Sequence, residues 1–215
     1  VLDGGRSICS EAGIPLADVA HVAINQDARA HLGRKIVYAL THWPNPRLVL
    51  DRLRNKRARA GLEAQLAQAF PEQIYQGQVH AVEHHRAHLS SAFHVSPFDE
   101  AVVVSVDGFG DFASAAWGLG RGGEIVLEGQ VFFPHSLGIF YQALTQFIGF
   151  PHYGDEYKVM GLAPYGEPKY MDAMRQIVRL LPDGSFRLNL RYFRHHRENI
   201  SYEWENGIPA VGTLF

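Results

Sequence analysis

Cysteine is nearly absent: Cys9 is the one thiol in 215 residues. A lone cysteine builds no internal disulfide framework and no Cys-x-x-Cys metal knuckle, usage that suits a reducing compartment and makes the cytoplasm the expected location. Long apolar runs are missing too. No stretch approaches the roughly 20 continuous apolar residues that span a bilayer, and the amino end lacks the basic-then-apolar layout of a signal peptide, so no membrane partner is expected. Nor does one sign of charge dominate. Twenty Lys and Arg stand against twenty-two Asp and Glu, a net charge of −2, and no long basic run offers the grip that duplex nucleic acid requires. Internal repeats and low-complexity tracts are likewise absent. The sequence opens with Val-Leu-Asp-Gly-Gly and stops at Gly212-Thr-Leu-Phe215 without a closing helix, so both ends read as cut from something longer.

What is present suffices for one sizeable core or two small ones, since 47% of the residues are hydrophobic. Ser10 to Ala20 carries a short helical pattern with a turn at Gly13-Ile-Pro15, and His21 to Asn25 suits a buried strand. Pro46 to Phe70 has apolar residues at helical spacing among many basic ones and predicts one long helix, or two with a break near Gly61. Val79 to Val82 then predicts a strand, and His84 to Phe93 a helix. Ala101 to Val106 is the clearest buried strand, running into a glycine turn at Asp107-Gly-Phe-Gly-Asp111. Ser114 to Gly120 and Glu124 to Phe133 predict two further strands joined by Arg121-Gly-Gly123. Helices are expected over Leu137–Gly149, Asp155–Leu162 and Tyr170–Leu181, with an edge hairpin over Ser185–Leu190 after the turn at Pro182-Asp-Gly184. Beyond Tyr192 the pattern weakens. The order of strands and helices points to a mixed α/β layer fold.

Three segments concentrate chemistry. In Glu83-His-His-Arg-Ala-His88, His84 and His88 stand four apart and share one helix face, where two neutral imidazoles can hold a divalent ion. A carboxylate normally completes such a set, and Asp107 is the natural candidate. His85 lies about a hundred degrees round the helix and is assigned to packing or a hydrogen bond. Asp107-Gly-Phe-Gly-Asp111 follows an apolar strand, and its glycines let backbone N–H groups approach an oxyanion while the aspartate can bind a cation. Gly149 to Gly166 packs glycines, aromatics, two acids and Lys158 into a short span that suits a shaped pocket, where Lys158 could hold a phosphate oxygen by charge.

Together and in this order, these segments resemble the O-carbamoyltransferases of nodulation-factor and antibiotic biosynthesis. The resemblance is carried by EHHRAHLSSAF at Glu83–Phe93, VVSVDGFGD at Val103–Asp111, PHSLGIFYQALTQFIGF at Pro134–Phe150 and GDEYKVMGLAPYG at Gly154–Gly166. It implies an actin-like, ribonuclease-H-like ATPase fold, incomplete at both ends, shared with the universal tRNA threonylcarbamoyl transferase. By that resemblance residues 1–215 are part of the N-terminal catalytic domain, and the C-terminal domain that forms carbamoyl adenylate is absent.

The same resemblance implies catalytic roles for His84, His88, Asp107 and Lys158. His84, His88 and Asp107 would ligate a divalent metal, iron by resemblance, with manganese or zinc as alternatives. Asp107, Gly108, Gly110, Ser136 and Gly138 would bind the nucleotide cofactor, ATP or carbamoyl adenylate. Carbamoyl phosphate and ATP would be the substrates of the first stage, and a small-molecule hydroxyl, on a sugar or natural product, the acceptor of the second. A water-poor site would protect the adenylate, and Phe132, Phe133, Phe140, Tyr141, Phe147 and Phe150 could shield it, although such rings also build cores. A tRNA threonylcarbamoylation protein and a non-catalytic nucleotide- or metal-binding module are the rival readings. Near-neutral charge and the GLAPYG segment favour the small-molecule family.

Overall fold

The computed structural model describes residues 9–42, 62–198, 200, 202–205 and 208–215. Its centre is an antiparallel sheet in the order β3 (Glu100–Gly110), β4 (Ala113–Arg121), β5 (Glu124–Phe132). Arg121-Gly-Gly123 turns β4 into β5, as its glycines predict, with Gly122 at φ +58. At the far end of the β3–β4 pair the register slips between Val106 and Gly110, and the chain reverses through Asp111 and Phe112 at φ +49 and +86. The strand thus reaches Gly110. The glycine segment read as a loop after Val106 is an irregular continuation of β3, bent by this bulge.

Helix α3 (His84–Phe93) lies on one face of the sheet, where Leu89 and Phe93 meet Val103 and Ala116. It follows β2 (Gln78–Ala81), which pairs in parallel with β1 (His21–Ile24), so the strand-to-helix junction expected near His84 is present. On the other face, Ala115 and Val131 pack against Phe186, with Leu137 and Val178 alongside. Val102, Val104 and Val106 lie on that second face at 75%, 63% and 53% exposure. The expectation of a buried strand over Ala101 to Val106 is corrected: among the described residues β3 is an edge strand covered well on one face only. Its run of valines resembles a doubly buried strand because Val suits a pleated surface whether or not both faces are covered.

Helices α4 (Leu137–Phe147), α5 (Glu156–Leu162) and α6 (Met171–Ile177) follow in the expected order. The third is shorter than its apolar pattern suggests: Val178–Leu180 forms strand β6, which pairs with β7 (Phe186–Leu188) across Pro182-Asp-Gly184. The periodicity of Tyr170–Leu181 continued past the helix because β-branched Val178 and its neighbours serve either state. Two elements were not foreseen. Helix α1 (Leu32–His42) lies between β1 and residues 43–61, and a hairpin joins β8 (Tyr202–Glu205) to β9 (Ile208–Val211). Asn206-Gly207 between those strands is the turn signal that could have found the hairpin. The helix predicted over Pro46–Phe70 is seen as α2 (Leu62–Ala69), and its first part lies outside the described residues. No helix among the described residues is long and apolar enough to cross a membrane. The architecture is a mixed α/β fold.

Candidate metal centre

Helix α3 starts at His84 because Glu83 caps it: the Glu83 carboxylate accepts the Arg86 N–H at 2.8 Å. One turn on, His88 comes over the same face, with its ring centroid 4.5 Å from that of His84. Strand β3 brings Asp107 up beside both. His84 Nε2 lies 2.8 Å from Asp107 Oδ2, His88 Nε2 lies 3.0 Å from His84 Nε2, and His88 Nε2 lies 3.5 Å from Asp107 Oδ2. The sequence-predicted trio converges, and it is the one group of three or more His, Cys, Asp or Glu among the described residues spaced to hold a metal ion.

This triangle fits a first-row divalent ion. Metal–nitrogen and metal–oxygen bonds of about 2.0–2.2 Å set adjacent ligand atoms roughly 3 Å apart, the spacing these three atoms already have. The hydrogen-bonding state of His84 points the same way. Its Nδ1 lies 3.3 Å from the Asn25 carbonyl oxygen, which can only accept and so favours an Nδ1–H, while Nε2 faces Asp107 Oδ2 at 2.8 Å, where a cation would take the place of a shared proton. Two imidazole nitrogens and a carboxylate oxygen then converge on one point, an arrangement that a cation reconciles. The site is open: the Asp107 and His88 side chains are 41% and 45% exposed. Burial raises the Asp107 carboxyl pKa, but the hydrogen bonds from His84 and Gly108 and the charges of His84 and His88 outweigh it and hold the group below its ordinary value.

The remaining predicted residues divide by what they touch. The Gly108 N–H donates to Asp107 Oδ1 at 2.6 Å, which leaves Oδ2 for the histidines, and the space a Cβ would take at Gly108 is open. Gly110 has the opposite surroundings, since a Cβ there would meet Cγ and Cδ2 of His84 at 2.0 Å. Its missing side chain is the seat of the His84 ring. Ser136, fully buried, donates to the Asp107 carbonyl at 3.0 Å and caps α4 by accepting the Ile139 N–H at 3.1 Å. Gly138 lies so close behind the Asp107–Gly108 peptide that a Cβ would come within 2.6 Å of Gly108 N. Ser136 and Gly138 therefore brace Asp107 from behind, with both Ser136 hydrogen bonds turned inward. Lys158 stands apart. Its ammonium pairs with buried Asp155 at 2.6 Å, and that bond raises its pKa.

His85 is wholly buried, with Nδ1 2.9 Å from the Ser105 hydroxyl, the packing and hydrogen-bonding place expected of it. Burial lowers its pKa and keeps the ring neutral beside the trio. Of the ring shield proposed from sequence, Phe133 packs with Phe109 and Phe112 near the β3–β4 turn, whereas Phe147 is 78% exposed. Sequence reading missed Asn25 and did not give Asp111 its contacts. Asp111 Oδ2 accepts the N–H groups of both Asp27 and His84. No local signal could reveal bonds that span 84 and 27 residues of chain.

Residues 28–204 match the family model described as carbamoyltransferase N-terminus. An uncharacterized protein of Synechocystis is 40% identical over 89% of this chain and 32% of its own length. The nodulation protein NolNO of Sinorhizobium fredii is 37% identical over 86% of the chain and 27% of its own. NolO of Bradyrhizobium diazoefficiens is 42% identical over 51% of the chain and 20% of its own. The chain spans a third or less of the length of these relatives. The matched stretch includes the α3 helix, the Asp107 strand and the helices that brace it, and the chain belongs to the carbamoyltransferase N-terminal family.

Proposed function

We propose that this chain is the metal-holding part of an O-carbamoyltransferase, which passes a carbamoyl group from carbamoyl adenylate to a hydroxyl of a sugar or natural product. The observation that carries this reading is the His84–His88–Asp107 triangle, spaced for a divalent ion and open to solvent on the His88 and Asp107 side. Its family membership supplies the reaction class. In this reading the chain belongs to an actin-like fold within the N-terminal catalytic domain of a longer cytoplasmic polypeptide. Carbamoyl phosphate and ATP react to form the adenylate in that polypeptide's C-terminal domain. The near-neutral charge and the GLAPYG segment at Gly161–Gly166 favour a small-molecule acceptor over tRNA.

When bound, a divalent ion, iron in preference to manganese or zinc, supplies Lewis-acid polarisation of the carbamoyl carbonyl or phosphate oxygens. The residues of the chain supply position and charge. His84 and His88 offer imidazole nitrogen, and Asp107 offers a carboxylate held in its ionised form by its neighbours. Open space at Gly108 lets a nucleotide phosphate approach the end of β3. Ser136 and Gly138 keep the Asp107 peptide from drifting as charge develops nearby. Lys158 has a distinct place in this proposal: from its pair with Asp155 it orients the Gly149–Gly166 segment and offers charge to a ligand oxygen.

The test uses the intact polypeptide. Metal content after purification, measured by elemental analysis, is expected near one equivalent in wild type and to fall sharply in His84→Ala and His88→Ala. Transfer of labelled carbamoyl from carbamoyl phosphate and ATP to sugar alcohols should fall in parallel. Full transfer by a folded His84→Ala protein that holds no metal would refute the reading.

A further inference from the structure

We infer that Asp111 positions His84 for metal binding, by fixing both the start of helix α3 and the loop carbonyl that accepts the Nδ1–H of the His84 ring. The inference rests on the reading of His84, His88 and Asp107 as a metal site. Asp111 sits at the tip of the β3–β4 hairpin at φ +49, a conformation that Gly, Asn and Asp accept more readily than other residues. One of its oxygens, Oδ2, takes two backbone N–H groups: that of His84 at 3.0 Å and that of Asp27 at 2.7 Å. The first of these anchors α3 at the residue that carries the ligand. It also satisfies a donor that has no partner inside the helix, at the end where the helix dipole favours a carboxylate.

The second bond acts at a distance of two residues. Asp27 follows Asn25 in the loop that leaves β1, and the Asn25 carbonyl is the group 3.3 Å from His84 Nδ1. The Asp27 carboxylate stiffens this loop further by accepting the Arg29 N–H at 2.8 Å. Held there, the carbonyl accepts the Nδ1–H and turns Nε2 toward Asp107 and the site, the outer-shell arrangement that orients metal-ligating histidines. Asp111 is outside the ligand triangle of His84, His88 and Asp107, and its Oδ2 accepts two peptide N–H groups. It is a positioning residue, joining three segments far apart in sequence: the β1 exit loop, the start of α3 and the hairpin that ends β3.

The test compares Asp111→Asn with Asp111→Gly in the intact protein. Asparagine keeps an acceptor oxygen and tolerates the positive φ. Glycine tolerates the φ and removes the oxygen, and Asp111→Ser, too short to reach both amides, replaces it if the glycine variant does not fold. Co2+ is the probe, followed by its visible absorption, together with nitrogen-15 NMR of the histidine rings without metal. Asp111→Asn should bind Co2+ within about threefold of wild type, and the oxygen-deleting variant about 10- to 100-fold more weakly. The metal-free spectra should show a hydrogen-bonded Nδ1–H on His84 in wild type and its loss in that variant. Wild-type Co2+ affinity without the oxygen overturns the inference and leaves the site reading standing. No Co2+ binding by wild type overturns the site reading, and an unchanged His84 Nδ1–H hydrogen bond in the variant then overturns the role of Asp111 as well.

Discussion

Gly110→Ala is the sharpest available perturbation of the site, because it adds one methyl group at a place where the structure has no room. The new Cβ would stand 2.0 Å from Cγ and Cδ2 of His84, and ordinary contact begins at 3.4 Å, so ring and strand must separate by 3.4 − 2.0 = 1.4 Å. The ring has little freedom to give way. Its backbone N–H is held by Asp111 at 3.0 Å and its Nδ1 by the Asn25 carbonyl at 3.3 Å. Metal–ligand distances tolerate only about ±0.2 Å, so a displacement several times larger removes His84 Nε2 from the triangle. Losing outer-shell support typically costs 10–100-fold in affinity, and losing a ligand from a set of three should cost at least ~100-fold, about 2.8 kcal/mol. Overpacking adds a stability cost of about 1–3 kcal/mol. Calorimetric titration with Zn2+ or Mn2+ measures the first effect and urea denaturation the second. Gly108→Ala is the control, since its Cβ meets nothing within 4 Å and should leave metal affinity unchanged. A folded Gly110→Ala protein with wild-type affinity would show that His84 does not sit over Gly110 when it binds metal.

Two further predictions concern stability. Burial first, and then the charges of Arg187, His195, His196 and His42, lower the His135 pKa from 6.5 to about 4, and its Nδ1 accepts the Leu188 N–H at 3.2 Å. Between those two values the unfolded chain binds more protons than the folded one. Stability is therefore full above about pH 6.5 and lost as pH falls toward 4, by at most ~3 kcal/mol from this residue. His135→Asn, which keeps an acceptor near the Nδ1 position, should flatten the decline measured by urea denaturation at stepped pH, and an unaltered slope would count against the buried neutral ring. Ser136→Ala removes a helix cap and the brace on the Asp107 carbonyl from a fully buried position and should cost about 1–3 kcal/mol. Arg121→Ala breaks the exposed pair with Glu100 and should leave the denaturation midpoint nearly unchanged, so equal shifts in the two variants would contradict this ranking.

Short-range periodicity carried much of the architecture. The four-residue spacing of His84 and His88 placed both rings on one face, Arg121-Gly-Gly123 fixed a hairpin, and the helices after Pro134 followed their apolar spacing. Each rests on interactions within a few residues, which local sequence controls. The same locality explains the failures. Whether Val178 extends a helix or pairs with Leu188 depends on the partner strand, and whether Val104 is covered depends on what packs against the sheet.

At the site, the sequence by itself determined which residues could be ligands: two imidazoles one helical turn apart and an aspartate where an apolar strand meets glycine. Only the tertiary structure decided that they form a triangle with sides of 2.8, 3.0 and 3.5 Å. It also decided that Gly110 makes room for an imidazole, that Ser136 and Gly138 support Asp107 from behind, and that Asp111 ties His84 to the Asp27 loop. The reason is physical: side-chain chemistry and helical phase are set by a residue and its near neighbours. Distances between ligands, and the hydrogen bonds that orient a histidine ring, are set by segments that meet only when the sheet and its helix have packed.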